Sequence, residues 1–269
     1  MTSFVRSVSF GLSTLLFCMG AHAEGEVIQF SADAVQQAPD RPTFNARIYF
    51  GKNAVRNEYE INGQQFVEIL RNKEKDKLIL NPALKEYIIQ PGSQFMSPQK
   101  RAKKSKDLSP CEGVPNVRCV KKGEETLGGR SAEKWEFIST ATGREVRSLT
   151  WIDVQRRFPV KQMYPDGSMF EMTLVGKEKL NGRNTEKWDV IHKRPDGFSS
   201  HARQWHDTAL HIAIREEWPG GYLRELKNIK VGKQSGKLFD IPKDYNQIQR
   251  PNYDNNQAPA PARMGSQNY

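Results

Sequence analysis

Residues 123–135 read Gly-Glu-Glu-Thr-Leu-Gly-Gly-Arg-Ser-Ala-Glu-Lys-Trp, and residues 176–188 read Gly-Lys-Glu-Lys-Leu-Asn-Gly-Arg-Asn-Thr-Glu-Lys-Trp, identical at eight of thirteen positions across an offset of 53. The echo continues. Trp151 and Asp153 match Trp205 and Asp207, and Tyr164-Pro165-Asp166-Gly167 matches Trp218-Pro219-Gly220-Gly221. Two such units are too few for a solenoid, which needs at least about three to bury its faces. Each unit reads as strand, turn, strand, strand, turn, strand. The repeat therefore predicts successive meanders in one antiparallel sheet.

Alternation of period two runs through the rest of the chain. In Phe44–Phe50, Phe44, Ile48 and Phe50 point one way, with Asn45 and Arg47 the other. Val55–Ile61, Gln65–Leu70, Lys77–Leu80 and Glu86–Gln90 read as further strands. Asn62-Gly63 between two of them is a hairpin signal, because a type I′ turn needs positive φ at both central residues. Pro165-Asp166-Gly167, Pro195-Asp196-Gly197 and Pro219-Gly220-Gly221 sit between other strand-like runs. The fold class predicted is mainly β: about a dozen strands in a large curved antiparallel sheet with few short helices. A flat sheet of that size leaves long edges, and curling into a full or partial barrel is the common remedy.

The first residues read as a targeting segment. Arg6 precedes an apolar run from Val8 to Met19, and Ala21-His22-Ala23 closes it as a small-x-small cleavage site. The run is short of the roughly 20 apolar residues of a bilayer span. Cleavage after Ala23 and an exported mature chain from Glu24 are the expectation. Phe17 before Cys18 is too bulky for a lipidation site. Cys18 leaves with the leader, so Cys111 and Cys119 remain, and in an oxidising compartment they are expected to pair. The net charge, +10 for the full sequence and +9 once Arg6 leaves with the leader, points to anionic envelope partners and away from nucleic acid.

Catalytic signals are sparse. His201, His206 and His211 are five apart, which puts them on no single strand face or helix stripe, so no metal site is predicted. Ser199-Ser200-His201 lacks the Gly-x-Ser-x-Gly pattern of a nucleophile elbow. Glu124-Glu125 and Glu216-Glu217 are adjacent pairs, which on strands face opposite ways. No free cysteine and no glycine-rich phosphate loop is present. The expectation is a protein that is not an enzyme and needs no cofactor. A hydrolase would need a buried His–carboxylate pair, and His206 near Asp153 or Asp207 is where to look.

The tryptophans carry two readings. Trp135 and Trp188, each after Glu-Lys, together with Trp151, Trp205 and Trp218, either pack as core anchors or line an apolar cavity. The run Lys100, Arg101, Lys103, Lys104, Lys106 is either a solvated loop or a contact for an anionic surface.

Several short stretches then resemble a known group. They are Phe30-Ser31-Ala32-Asp33, Val55-Arg56-Asn57-Glu58, Leu78-Ile79-Leu80-Asn81-Pro82, Leu226–Gly232, and Leu238-Phe239-Asp240-Ile241-Pro242 with Tyr245. The pattern, over about residues 26–247, looks like uncharacterised periplasmic proteins with the fold of the LolA, LolB and RseB group. That resemblance implies an unclosed half-barrel over an apolar cavity. Within the group the cavity takes lipoprotein acyl chains or lipidic material, and one relative binds a regulatory protein. It implies no particular site residue. The resulting expectation is a leader over 1–23 and a LolA-like domain over 24–248 holding repeat units 123–175 and 176–232. A disordered tail covers 249–269. The expected protein is a monomeric periplasmic carrier or sensor of a lipid-like ligand or lipoprotein. An envelope interaction protein with a basic face is the alternative.

Overall fold

The computed structural model describes residues 27–92, 109–112 and 114–249. The leader, the basic run from Lys100 to Lys106 and all but the first residue of the tail lie outside the described residues. In chain order the first strands are β1 (Phe30–Ala38), β2 (Arg41–Phe50), β3 (Ala54–Ile61), β4 (Gln64–Arg71), β5 (Asp76–Asn81) and β6 (Glu86–Pro91). Next come β7 (Val117–Leu127), β8 (Arg130–Ser139), β9 (Val146–Asp153), β10 (Pro159–Met163) and β11 (Met169–Leu180). The last are β12 (Arg183–Lys193), β13 (Ser199–Asp207), β14 (Ala213–Trp218), β15 (Tyr222–Val231) and the two-residue β16 (Asn246–Gln247). Sixteen strands exceed the dozen expected. The short helices expected are not found: the described residues hold no α-helix and one 3-10 turn, Gly236–Phe239. Most connections between consecutive strands are tight turns, too short to hold a helix.

The strands form two compact units, one holding described residues 27–52 and 109–234, the other 53–92 and 235–249. In the first, the strand order is β2-β1-β15-β14-β13-β12-β11-β10-β9-β8-β7, every described pair antiparallel. The order does not return on itself, so this sheet is not closed into a barrel. In the second, β3 to β6 form a meander, and β16 adds to β6 in parallel. Phe239, Ile241 and Tyr245 pack on its buried residues Ala54, Val67, Ile69, Leu78 and Leu80. Arg56 fastens that segment by donating to the Leu238 carbonyl at 2.9 Å.

Turn chemistry sets the registers. Asn62 and Gly63 have φ of 51° and 76°, the pair of left-handed residues a type I′ turn requires. Gly128-Gly129 and Asn181-Gly182 do the same at equivalent points of the two matching stretches. Both stretches also open on a bulge, between Lys121 and Gly123 in β7 and between Leu174 and Gly176 in β11. Such bulges add local twist and re-aim the side chains beyond them.

Candidate functional site

The registers fix where the five tryptophans go. Trp151 lies directly opposite Lys134 on β8 and Lys161 on β10. Both ammonium groups sit over its ring, at 4.9 and 5.3 Å from the centroid. Its indole N–H donates to Glu125 at 2.7 Å, and Lys134 closes the square by pairing with Glu125 at 2.8 Å. Trp205 repeats this arrangement between Lys187 and Arg215, with cations 5.1 and 5.3 Å from the ring and its N–H on Glu178. Each ring is thus a rung clamped between two cations, a contact worth about 0.5–2 kcal/mol per cation.

A second duplicated feature ties the turns. Arg130 holds Asp153 with two bonds of 2.5 and 2.9 Å, and Arg183 holds Asp207. Both carboxylates are buried, and each also accepts backbone N–H groups: Asp153 from Arg156, Asp207 from Ala209 and Leu210. They close the turns after β9 and β13.

Trp188 stands at the centre of the first unit. It is 1% exposed and packs with Ala132, Trp151, Val160, Met172 and Val190. Half-buried Leu149, Phe158, Phe170, Leu174 and Ala202 lie against this cluster. The Phe158 ring meets Trp188 edge-on at 5.4 Å, and the Arg130 guanidinium lies over it at 5.6 Å. Arg156 reaches across to pair with the buried Glu186. Two buried N–H donors, Trp188 Nε1 and Arg156 Nε, meet no acceptor among the described residues. An unpaired buried donor costs about 1–3 kcal/mol, so such groups commonly mark a place that takes an acceptor.

His206 completes the cluster. Its ring stacks on Phe158 at 5.7 Å and its Nε2 meets Gln204 Oε1 at 2.9 Å. Among the described residues no carboxylate partners it: Asp153 and Asp207 are taken by the two arginines. Burial, helped by the charge of Arg156, pushes its imidazole down to about 4 from 6.5. Folding therefore favours the neutral ring. Its contribution, about 3 kcal/mol, is complete above about pH 6.5 and is lost as pH falls towards 4. Burial moves the Glu216 carboxyl the opposite way, upward, so its effect has the opposite sign. Comparing urea unfolding of the native protein with His206→Phe across pH 4–7 isolates the histidine. The native protein should lose stability towards acid more steeply than the variant; parallel curves would contradict this.

Trp135 and Trp218 lie elsewhere. Trp135 is opposite Thr150, so on the β8–β9 pair it points away from Trp151; by the same rule Trp188, opposite Gln204, points away from Trp205. Trp135 donates to Glu133 at 3.3 Å and packs with Phe137, Ile152 and the bonded cysteines Cys111 and Cys119. Trp218 is 38% exposed at a hairpin tip. The five rings therefore do not share one face. The short loop closed by the disulfide should contribute about 2–3 kcal/mol. Cys111→Ser with Cys119→Ser should lower the urea midpoint, and dithiothreitol should bring the native protein to the same value without moving the variant.

Sequence reasoning missed Phe158, Arg156 and Glu186. Glu186 is one residue of the repeated Glu-Lys-Trp, and nothing in the motif marks it apart from Glu133. Glu133 instead holds Lys121 and Arg157, each at 2.9 Å. Among the described residues no group of His, Cys, Asp and Glu converges to hold a metal ion, and no helix is long and apolar enough to cross a membrane.

No known family model matches the chain, and neither does any curated protein. Solved structures do resemble it. One is a LolA superfamily protein of Nitrosomonas europaea, at TM-score 0.37 and 11% identity over 81% of this chain and 91% of that one. A second is an outer membrane lipoprotein-sorting protein domain of Vibrio parahaemolyticus, at 0.34 and 12% over the same shares. A third is a DUF1329 family protein of Desulfovibrio piger, at 0.32 and 13%, again over 81% and 91%.

Proposed function

We propose that the protein is a non-catalytic binding protein of a bacterial-type envelope that holds an apolar, lipid-like ligand as carrier or sensor. The carrying observation is the Trp188 cluster, half-buried apolar side chains against a buried indole N–H that, like the buried Arg156 Nε, lacks an acceptor among the described residues. An acyl chain with an ester or carboxylate oxygen matches both parts. Each CH₂ buried would contribute about 0.8 kcal/mol, and the oxygen would take the orphaned donors. The neighbouring ionisable groups are ill suited to proton transfer. Glu133, Asp153, Glu186, Asp207, Glu216 and Glu225 are buried and each is held by arginine or lysine. The disulfide and the Ala21-His22-Ala23 leader support an exported, periplasmic setting.

Titration with a fluorescent fatty acid tests the reading. Trp188→Phe keeps a ring in the core but removes the N–H. We expect saturable uptake by the native protein and an affinity about five- to tenfold weaker in the variant, the loss of one hydrogen bond. No uptake of fatty acid, or equal uptake by both, would count against it.

A further inference from the structure

Five of the seven exposed large apolar residues of the first unit, Val146, Met163, Phe198, Trp218 and Tyr222, gather at one end of its sheet; Val175 and Val231 lie elsewhere. The hairpin turns β1–β2, β14–β15, β12–β13, β10–β11 and β8–β9 all fall at one end of its antiparallel sheet. The registers Gln37↔Leu223, Arg203↔Glu217, Lys193↔Ser199, Met169↔Lys193, Leu149↔Met163 and Ser139↔Val146 carry that end from strand to strand. Four neighbouring tips there expose apolar side chains: Trp218 at 38% with Tyr222 at 52%, Phe198 at 56%, Met163 at 43% and Val146 at 39%. Alternate hairpins are about 10 Å apart at the usual strand spacing. The rim is therefore a line of apolar tips rather than a single patch.

The charges on the rim are arranged around those rings. Arg224 lies over Trp218 at 5.9 Å and Arg194 over Phe198 at 5.5 Å. Most acids there have partners of their own. Asp166 accepts from the Ser168 N–H and hydroxyl, and Asp196 from the Phe198 N–H and Arg194. Glu145 is bound to Arg147 and Glu217 to Arg215. Asp40 is the remaining acid. Lys193 and Arg144 have no ion-pair partner among the described residues. Aromatic rings with guanidinium groups lying over them match the boundary between acyl chains and phosphates, where Trp, Tyr and Arg side chains place an apolar body inward and a polar end in water.

We propose that this rim docks the protein on a phospholipid bilayer surface, with Trp218, Tyr222, Phe198 and Met163 entering the interface and Lys193, Arg194 and Arg144 meeting phosphates. Trp188 itself lies five residues along β12 from Lys193 at the rim, and the docking does not depend on that residue meeting a ligand.

Co-sedimentation of the full mature chain with phosphatidylcholine vesicles, with and without phosphatidylglycerol, tests the docking. The native protein should partition onto both, more strongly with phosphatidylglycerol. A variant carrying Phe198→Ser, Trp218→Ser and Tyr222→Ser should lose about tenfold or more in partitioning. Val175→Ser with Val231→Ser, also exposed but away from the rim, should leave it unchanged. Brominated phosphatidylcholine keeps the test decisive if the triple variant fails to fold. It should quench part of the native tryptophan emission, and Trp218→Phe should remove that part. Absence of vesicle binding, equal binding by a folded rim variant, or quenching that survives Trp218→Phe would each overturn the proposal.

Discussion

Trp188→Ala is expected to destabilise the protein by about 3–5 kcal/mol, the largest loss from any single apolar truncation in the first unit. The ring is 1% exposed and touched by Phe158, Arg130 and the core around Val190 and Met172. Most of its neighbours, Ala132, Trp151, Val160, Met172 and Val190, sit on hydrogen-bonded strands that cannot collapse into the space. The lost transfer energy is therefore joined by a cavity cost. Urea unfolding followed by far-ultraviolet circular dichroism measures it. Trp218→Ala, at an exposed tip, should shift stability by no more than about 0.5 kcal/mol. Equal effects at the two positions would mean that Trp188 is not the centre of packing.

Arg183→Met should cost about 3–5 kcal/mol, because it leaves Asp207 charged and buried without its cation. The two backbone N–H groups that Asp207 accepts soften the loss but do not replace the guanidinium. Arg130→Met should behave alike through Asp153, since the two pairs are structural copies. Converting both members, Arg183→Met with Asp207→Leu, should cost less than the sum of the single changes, a coupling a double-mutant cycle reads directly. Additive losses would show that the pair is not coupled.

Much of this architecture is legible in the sequence, for identifiable reasons. Asn62-Gly63 marks its hairpin because few dipeptides accept positive φ twice. The matching stretches at 123–135 and 176–188 foretell matching geometry, but only the register shows what is matched. Trp151 sits between Lys134 and Lys161 because of strand pairing, and these residues are 17 and 10 positions away in the chain. A motif built on Glu-Lys-Trp cannot reveal that the Trp188 N–H is buried without an acceptor among the described residues while the Trp135 N–H donates to Glu133. The two rings fall at the same step past equivalent bulges, and what differs is what packs on them: the disulfide beside Trp135, Phe158 and Arg130 on Trp188. Arg156 looks like an ordinary turn residue until the turn after β9 is folded against Glu186. The division into two units is hidden for a similar reason. Phe239, Ile241 and Tyr245 stand out in the sequence, but their place on the β3–β6 meander, some 160–190 residues earlier, is set by tertiary packing. The exposed rim needs both the turn positions and the exposures.

The measurement that tests the central claim most directly is native mass spectrometry of the protein purified without detergent from the cells that make it. A reproducible added mass that extracts as a lipid, and that is diminished in Trp188→Phe, is the predicted result. A bare polypeptide mass, unchanged after incubation with fatty acids or phospholipids, would contradict the ligand-binding account.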